Sequence, residues 1–244
     1  MMQYLHQRSE PINNGPKSQF LADVIGWDIL NWSTAIEYWE DKAGSELTGS
    51  YSLEIGAGNS GGLSLWLASR GSNVVCLALG GVSDAAEAIH DKYELSGQIE
   101  YQDIDALSIP YVDEFDLVVF KSVLGAIGRY DARELQERAI LQMHKALKAG
   151  GKLLYAENLA CTRAHQFLRR KYGRAERGWR YVTIDEMVGM LSCFSRSSYI
   201  TTGVLGALGR DQAQRNTLGR IDQALLNHLV PNGLKYITIG IAQK

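Results

Sequence analysis

A glycine-rich segment with an acidic neighbour is the clearest chemical signal in the sequence. Positions 53 to 61 read LEIGAGNSG. Glycine at positions 56, 58 and 61 lets a ligand approach the backbone closely, because glycine has no side chain in the way. Taken alone, this spacing also fits the fingerprint of dinucleotide-binding proteins. Glu54, two residues before the first glycine, is atypical of that fingerprint and suits a positively charged ligand, such as an ammonium or sulfonium group.

The elements around this turn alternate between strands and helices. Apolar runs at 51–55, 73–79, 99–102, 115–120 and 152–156 predict strands. Between them the patterns predict helices at 61–70 and 84–92, and a third helix with Leu135, Ala139, Met143 and Leu147 on one face, ended by Gly150 and Gly151. Continuous apolar strands between helices indicate a parallel sheet that is covered on both faces.

The two ends of the chain follow other patterns. Residues 1–16 predict a polar arm, and 19–45 predict a helical segment with a break at Ser33-Thr34. Late strands at 198–203 and 236–242 flank a polar helical stretch at about 211–229, which suggests an antiparallel, hairpin-like finish to the sheet. We therefore expect an N-terminal arm and helical cap over 1–48 and one structural unit over 49–244.

Composition narrows the class of protein. Lys plus Arg number 25 against 27 Asp plus Glu in 244 residues, a net charge of −2 that argues against a general nucleic-acid binder. The three cysteines are far apart, which argues against a zinc site or a disulfide framework and favours a reducing, cytoplasmic location. No apolar run approaches the length of a membrane span, and the N-terminus lacks the apolar core of a signal peptide.

Four segments, in their order along the chain, resemble those of class I S-adenosylmethionine-dependent methyltransferases. Residues 54–58 resemble that family's first motif, which wraps the methionine part of the cofactor, and 105–110 resemble its third motif. Residues 115–119 resemble its fourth strand, and 147–154 the turn into its fifth. The resemblance spans about 50–242. It implies an α/β, Rossmann-like methyltransferase fold: a seven-stranded, mainly parallel sheet with an antiparallel last strand, here with the helical cap in front.

The same resemblance implies S-adenosylmethionine as cofactor and S-adenosylhomocysteine as product. The residues expected around the cofactor come from the first motif, the third motif, whose Asp105 would contact the adenine amino group, and the cap: Glu54, Gly56, Ala57, Gly58, Ser60, Asp105, Ala106, Trp32 and Ser33. Two positions depart from the family. Ala78 stands where the second strand usually ends in an acid that holds the ribose hydroxyls, and Ser60 replaces the motif's third glycine. Loss of that carboxylate contact would cost roughly 1.5–3 kcal/mol of binding.

Polar residues follow the fourth and fifth predicted strands, where ligands lie in open α/β sheets. Lys121 is a candidate catalytic residue that would contact the cofactor carboxylate or an anionic acceptor, or else is a solvated lysine that opens the next helix. Glu157 is a candidate general base if the acceptor is a hydroxyl, or else an acid favoured at a helix N-terminus. His165 is a further candidate base and shares a helix face with Arg169, or the two form a surface pair.

A basic run from Arg163 to Arg180 lies between the predicted fifth and sixth strands. It holds seven basic residues and one acid, beside Trp179 and Tyr181. Arginines with aromatic residues suit an acceptor that bears phosphate or carboxylate, although such runs are also common as solvated faces. The residues expected to bind the acceptor are Asn158, Arg169, Trp179, Arg180 and Tyr181.

The function predicted is methyl transfer from S-adenosylmethionine to a small or medium-sized acceptor, without a metal. The segments 27–33, 121–125 and 157–158 resemble bacterial methyltransferases associated with surface-polysaccharide biosynthesis, which would make a sugar or nucleotide-sugar hydroxyl the acceptor. Two alternatives stay open at this point. Ala78 and Ser60 would also fit a catalytically silent relative that binds a partner, and the glycine spacing would fit a dinucleotide-binding oxidoreductase. The sequence does not give the oligomeric state.

Overall fold

The computed structural model describes residues 16–58, 60–172 and 178–244. They build one seven-stranded sheet, which confirms the predicted fold class. The strands are β1 (Tyr51–Ile55), β2 (Asn73–Ala78), β3 (Ile99–Asp103), β4 (Phe115–Lys121), β5 (Leu147–Asn158), β6 (Arg196–Thr202) and β7 (Ile237–Gln243).

Helices cover both faces of this sheet. Nearly every residue of its central strands is buried, so both faces must be shielded from solvent. They are α1 (Pro16–Ile25), α2 (Ile29–Leu47), α3 (Gly62–Ser69), α4 (Asp84–Lys92), α5 (Leu124–Ile127), α6 (Arg133–Ala146), α7 (Arg163–Tyr172), α8 (Ile184–Met190), α9 (Gln212–Ile221) and α10 (Asn227–Leu229). A π-helical turn at Asp222–Leu226 joins the last two. No helix in the described ranges is long and apolar enough to cross a membrane.

The strand order decides which side chains meet. It runs β3-β2-β1-β4-β5-β7-β6, with β1 to β5 parallel to one another and β7 antiparallel to both of its neighbours. The last two strands are therefore an antiparallel pair, with β7 inserted between β5 and β6. Consequently the start of β7 lies at the same edge of the sheet as the ends of β1, β4 and β5.

The predicted break at Ser33-Thr34 is wrong. Helix α2 runs through both residues, and the Ser33 hydroxyl donates a hydrogen bond to the carbonyl of Leu30 at 3.1 Å inside the helix. The chain breaks instead at Gly26 and Asp28, whose φ angles of 83° and 46° are left-handed and cannot continue a helix.

The predicted helical position of Leu147 is also wrong. Helix α6 ends at Ala146, and Leu147 begins β5 by pairing with Phe115 across a register irregularity. Ala139 and Met143 are buried on the predicted face of α6. The apolar residues at four-residue spacing therefore continue beyond the end of α6, because Leu147 is buried as a residue of β5.

The N-terminal helices pack directly on the sheet and on α3. In α2, the Trp39 indole donates to the carbonyl of Gly240 in β7 at 3.1 Å and packs against Trp66 of α3, with ring centroids 5.5 Å apart. Helix α1 approaches α3 so closely that a Cβ atom at Gly62 would lie 2.0 Å from the carbonyl oxygen of Val24. Glycine at position 62 is therefore a steric requirement of the cap.

Gly62→Ala should disrupt this packing, because the obstructing atom belongs to the backbone and cannot rotate away. We expect a loss of about 3 kcal/mol or more in the free energy of unfolding, measured by urea denaturation. Gly44→Ala is the matched control, since nothing lies within 4 Å of a Cβ atom there and α2 should gain about 0.5–1 kcal/mol. Equal stability of the two variants would contradict the described contact of α1 with α3.

Candidate functional site

The glycine-rich segment forms the turn between β1 and α3. Gly56, Gly58 and Gly61 have φ angles of 70°, 57° and 51°, which L side chains rarely adopt. A Cβ atom at Gly56 would lie 2.7 Å from the side chain of Val123, just after β4. Within the turn, the amide of Ala57 donates to Leu77 of β2 at 2.9 Å. The turn is therefore closely fitted to the neighbouring strand ends, and its backbone lies open at exposed Gly58.

Glu54 holds the start of α3. Its buried carboxylate accepts hydrogen bonds from the amides of Leu63 and Ser64, at 3.4 and 2.7 Å. Burial raises the pKa of this carboxyl, and the two amides at the positive end of the helix oppose that rise. The structure therefore gives Glu54 a direct role in shaping the turn on which a ligand would lie.

His90 is a residue that the sequence analysis left without a role. Its Nε2 donates to the carbonyl of Gly61 at 2.9 Å, since a carbonyl can only accept, and its Nδ1 bonds to the hydroxyl of Tyr101 at 2.9 Å. A Cβ atom at Gly61 would lie 2.7 Å from the His90 ring. The available sequence signal was the spacing of four between Ala86 and His90 on the buried face of α4.

The ends of β2 and β3 lie side by side next to this turn. Ala78 pairs with Asp103, whose carboxylate accepts the amide of Gly80 at 2.7 Å. Further on, exposed Asp105 accepts the amide of Leu107 at 2.9 Å, and partly buried Ala106 packs beside it on the core. The two carboxylates thus stand at the sheet edge where the resemblance expects the ribose and the adenine.

Lys121 ends β4 in a space between two acids. Its ammonium lies 5.2 Å from the ring centroid of Trp32 in α2 and has no hydrogen-bond partner within the described ranges. Burial lowers the pKa of Lys121 to about 8, although the charges of Glu54 and Glu157 act in the opposite direction. A partly buried cation of this kind can bind an anion at reduced further desolvation cost.

Trp32, whose ring lies next to the Lys121 ammonium, carries a second donor. The residue is fully buried, and its indole Nε1 has no hydrogen-bond partner among the residues described. Buried indole N–H groups normally find a partner. The Lys121 ammonium and this orphaned donor together fit the carboxylate of a bound amino-acid group, such as the methionine part of S-adenosylmethionine. Ser33 does not share this role in the structure, because its hydroxyl bonds within α2.

Glu157, at the end of β5, accepts hydrogen bonds from backbone amides. Its carboxylate accepts the amides of Val123 and Leu124 at 2.8 and 2.7 Å and that of Asn158 at 2.7 Å. Burial raises the pKa of Glu157 to about 7, while these amides lower it. Asn158 in turn donates to Ser122 at 2.6 Å. These contacts fix the turn that follows β4, where Ser122 has a left-handed φ of 58°.

His165 lies on the β7 side of the same edge. Its Nε2 donates to the carbonyl of Val204 at 3.0 Å, and its ring stacks on Tyr236 with centroids 5.6 Å apart. Tyr236 donates its hydroxyl to the buried carboxylate of Asp28, and burial raises the pKa of that carboxyl to about 7. The histidine therefore packs against a hydrogen-bond network that the sequence did not predict.

The same network includes Asn31 and Asp222. The Asn31 amide donates to Asp222 at 3.0 Å, and Asp222 also accepts amides of the segment 204–206 at 2.9–3.1 Å. Both side chains are fully buried. The network joins α2, the π-helical turn and the start of β7 beside the strand ends.

A cavity of about 240 Å³ opens beyond β4 and β5. It is lined by Asp131, Ala160, Gln166, Gly178, Trp179, Arg180 and Tyr181. Gly125 of α5 lies under Trp179, since a Cβ atom there would be 3.1 Å from the indole ring. The structure thus brings three of the residues expected to bind the acceptor to one cavity.

Arg180 is engaged within the protein. Its guanidinium forms ion pairs with Asp131 and Glu186 and bonds to Gln136 at 2.8 Å. These acids raise its pKa against the effect of burial. Arg169 belongs to α7, but its side chain lies outside the described residues, and so do most side chains of the basic run. The described part of that run therefore supplies no evidence for an anionic ligand.

Residues 53–155 match a family described as "Methyltransferase domain". The match begins at the strand before the glycine turn and ends near the end of β5, so it contains Glu54, Lys121 and both motifs. The chain carries a methyltransferase domain. This match over 103 of the 244 residues supports an S-adenosylmethionine-dependent methyltransferase, and the site described above fits that cofactor. No curated protein matches the chain by sequence.

Solved structures share the fold at low sequence identity. Phosphoethanolamine N-methyltransferase 2 of Haemonchus contortus, in complex with phosphomonomethylethanolamine and S-adenosylhomocysteine, has a TM-score of 0.61 at 16% identity over 93% of this chain and 57% of its own. A putative methyltransferase of Bacillus halodurans has a TM-score of 0.53 at 16% identity, over 80% and 93% of the two chains. The [4+2]-cyclase SpnF reaches 0.54 at 18% identity over 93% and 92%. At these identities the likeness establishes the fold alone.

The lowered pKa of Lys121 predicts a pH-dependent effect of Lys121→Met on stability. Below pH 8 the lysine is protonated in the folded and unfolded states, so the folded protein carries the full cost of burying the charge. Between pH 8 and about 10.5 the folded state loses its proton first, and the cost fades as the pH rises. The ligand-free variant should be about 1–3 kcal/mol more stable than the wild type at pH 7, with little difference near pH 10.5.

Urea denaturation at several pH values measures this difference. Lys152→Met is the control, because Lys152 lies toward the start of β5, at the opposite edge of the sheet, and pairs with Glu46. A stabilisation by Lys121→Met that does not change between pH 7 and pH 10.5 would show that Lys121 is not a desolvated cation.

Proposed function

We propose that the methyl acceptor is a small or medium-sized molecule with negative charge, and that the methylated group is a sugar or nucleotide-sugar hydroxyl. The observation that carries the sugar part of this proposal is the cavity lined by Trp179 and Tyr181 beyond the ends of β4 and β5. The negative charge would be that of the phosphate groups of a nucleotide-sugar. The cavity volume of about 240 Å³ is below the roughly 300–1,000 Å³ of sites for drug-sized ligands. It therefore suits a group of about the size of one sugar ring.

The lining of the cavity supports the same class of acceptor. Trp179 and Tyr181 offer aromatic surfaces, with ring centroids 6.5 Å apart, on which the apolar face of a sugar can pack. Gln166 and Asp131 add an amide and a carboxylate that can bond to hydroxyl groups. A few polar groups among aromatic walls are typical of sites that orient a small ligand.

In this proposal the cofactor lies along the turn of Gly56, Ala57, Gly58 and Ser60. The Lys121 ammonium and the Trp32 indole would hold its carboxylate, and Asp105 its adenine. When bound, S-adenosylmethionine supplies an electrophilic methyl group. The protein aligns the acceptor hydroxyl with that methyl group and excludes water from the pair. As the hydroxyl oxygen takes the methyl group, its proton would pass to the Asp131 carboxylate in the cavity lining, and S-adenosylhomocysteine would leave.

Glu157 and His165 act by positioning in this proposal. Neither lines the cavity; the Glu157 carboxylate accepts backbone amides, and His165 Nε2 donates to the carbonyl of Val204. Glu157 keeps the turn after β4 in place, and with it Lys121 and Asn158. The domain would work in the cytoplasm, with residues 1–48 as its N-terminal arm and helical cap, of which 1–15 lie outside the described residues.

Trp179→Ala tests the acceptor site. With S-adenosylmethionine and a panel of uronic acids, sugar phosphates, nucleotide-sugars and neutral sugars, formation of S-adenosylhomocysteine identifies the acceptor. The variant should raise the acceptor KM roughly 5- to 150-fold and leave the KM for S-adenosylmethionine within about twofold, if loss of the aromatic contact costs about 1–3 kcal/mol, as loss of a nucleobase stack does. Tyr199→Ala, a partly exposed aromatic on edge strand β6, is the control and should keep both values.

Two outcomes would contradict the proposal. One is turnover confined to amines or to macromolecules, with none of the sugars methylated. The other is an acceptor KM that stays unchanged in Trp179→Ala.

A further inference from the structure

Arg215 is a buried cation without an acid partner in the structure. It lies on α9 and is only 5% exposed, yet no carboxylate within residues 16–58, 60–172 and 178–244 forms an ion pair with it. Its Nε atom is buried and has no hydrogen-bond partner among these residues. Buried arginines are normally paired, because an uncompensated buried charge costs several kcal/mol.

One glycine leaves room for this side chain, and a second lets α9 pack closely on α2. A Cβ atom at Gly209 would lie 2.6 Å from Cγ of Arg215, so the arginine stem occupies the space that a side chain at 209 would need. One turn along α9, Gly219 allows close packing on α2, since its Cβ atom would be 3.0 Å from Cβ of Leu30. The packing around Gly209 and along α9 therefore fixes the position of Arg215.

Asp28, a charged group of the cap, does not neutralise Arg215. Asp28 is close enough for the charge of Arg215 to lower its pKa, but burial raises that pKa more. The carboxylate of Asp28 bonds instead to the Tyr236 hydroxyl and, at 3.3–3.5 Å, to the Asn31 amide. The guanidinium thus keeps its capacity to bind another anion.

Aromatic rings connect Arg215 with the centre of the site. Its guanidinium carbon lies 5.8 Å from the ring of Trp27, and Trp27 packs on Trp32 with centroids 5.6 Å apart. The other side of this pair carries Lys121, 5.2 Å from the Trp32 ring. Two tryptophans therefore stand between the lysine at the end of β4 and the arginine of α9.

We propose that Arg215, together with the face of Trp27, forms a subsite for the anionic group of the methyl acceptor, a phosphate or a carboxylate. The inference rests on the proposed function and names the residue that would recognise the negative charge. Lys121, on which the charge of Glu54 beside the glycine turn acts, and the Trp32 indole are assigned to the cofactor carboxylate, which leaves Arg215 for the second anion. A planar guanidinium with paired N–H groups suits phosphate and carboxylate geometry.

The subsite also restricts the shape of the acceptor. Trp32 belongs to the core on one face of the sheet, whereas Leu124, beside the Trp179 cavity, belongs to the core on the other. The end of β4 lies between them. A molecule that reaches both Arg215 and the cavity must be elongated, as a nucleotide-sugar is.

Phosphate binding by variants of Arg215 tests this inference. Inorganic phosphate and pyrophosphate are titrated by calorimetry into protein saturated with S-adenosylhomocysteine, at constant ionic strength. We expect saturable binding to the wild type and at least tenfold weaker binding to Arg215→Gln. Arg215→Lys should bind about three- to tenfold more weakly than wild type, because an ammonium keeps the charge but loses the paired N–H geometry. Arg220→Gln removes an exposed arginine from the same helix and should match wild type.

Thermal unfolding of each ligand-free variant shows whether a loss of phosphate binding comes from the removed side chain or from a folding defect. Arg215→Gln should unfold at the wild-type temperature or above, because it removes a buried unpaired charge. If this variant does not fold, Arg215→Lys decides the matter. Absence of saturable phosphate or pyrophosphate binding to the wild type, or equal binding by wild type and the Arg215 variants, would overturn the inference.

Two further results separate the inference from the proposed function. If Arg215→Gln weakens S-adenosylhomocysteine at least tenfold but leaves 5′-methylthioadenosine unchanged, Arg215 holds the cofactor carboxylate and the acceptor subsite is wrong. If wild-type protein binds neither compound, the cofactor site itself fails. Unchanged S-adenosylhomocysteine affinity together with lost phosphate binding supports the subsite.

Discussion

The buried hydrogen bonds between the cap and the sheet are the interaction on which the rest of the site depends. Asp222 gathers the amides of the segment 204–206 and the side chain of Asn31, while Tyr236 donates to Asp28. All of these side chains are fully buried, so loss of one partner would leave others unsatisfied at about 1–3 kcal/mol each. Because Asn31 precedes Trp32 and Asp222 follows α9, this network fixes the residues that we assign to cofactor and acceptor.

The parallel register then brings three charged side chains together. Glu54, Lys121 and Glu157 come from β1, β4 and β5, whose ends share one edge of the sheet. The Glu54 carboxylate accepts hydrogen bonds from backbone amides at the start of α3, and the Glu157 carboxylate from amides in the turn after β4. Lys121 has no hydrogen-bond partner within the described ranges. Its positive charge is thus surrounded by fixed negative groups, yet its donor capacity is left for a ligand.

Sequence patterns predicted the features that depend on residues close together in the chain. The glycine turn, the strands and the placement of Lys121 and Glu157 at strand ends follow from periodicity and from the rule that ligands lie at those ends. The helix break was misplaced because Ser33 can satisfy its hydroxyl within the helix, whereas the left-handed Asp28 is held by distant residues. Leu147 was misplaced because a buried leucine fits the helix face and the strand equally well.

Contacts between residues far apart in the chain cannot be predicted from a local sequence pattern. Tyr236 and Asp28 are 208 positions apart, and nothing near either residue indicates that they bond. Arg215 resembles other arginines of a polar helix in sequence, and only its burial against Trp27 and Gly209 distinguishes it. Conversely, the basic run that suggested an anionic ligand proved to contain an arginine already paired with two acids. Charge in a sequence therefore indicates a ligand only when the fold leaves it unpaired.

The most direct test of the central claim compares two ligands that differ at the amino-acid end. S-adenosylhomocysteine carries the carboxylate that Lys121 and the Trp32 indole are assigned to hold, and 5′-methylthioadenosine lacks it. Calorimetry on wild type, Lys121→Met, Trp32→Phe and the control Lys152→Met should show a loss of about 10–100-fold for S-adenosylhomocysteine in Lys121→Met and a smaller loss in Trp32→Phe. Binding of 5′-methylthioadenosine should change less than threefold in all variants. Equal losses for both ligands, or no loss for either, would contradict the assignment of this site.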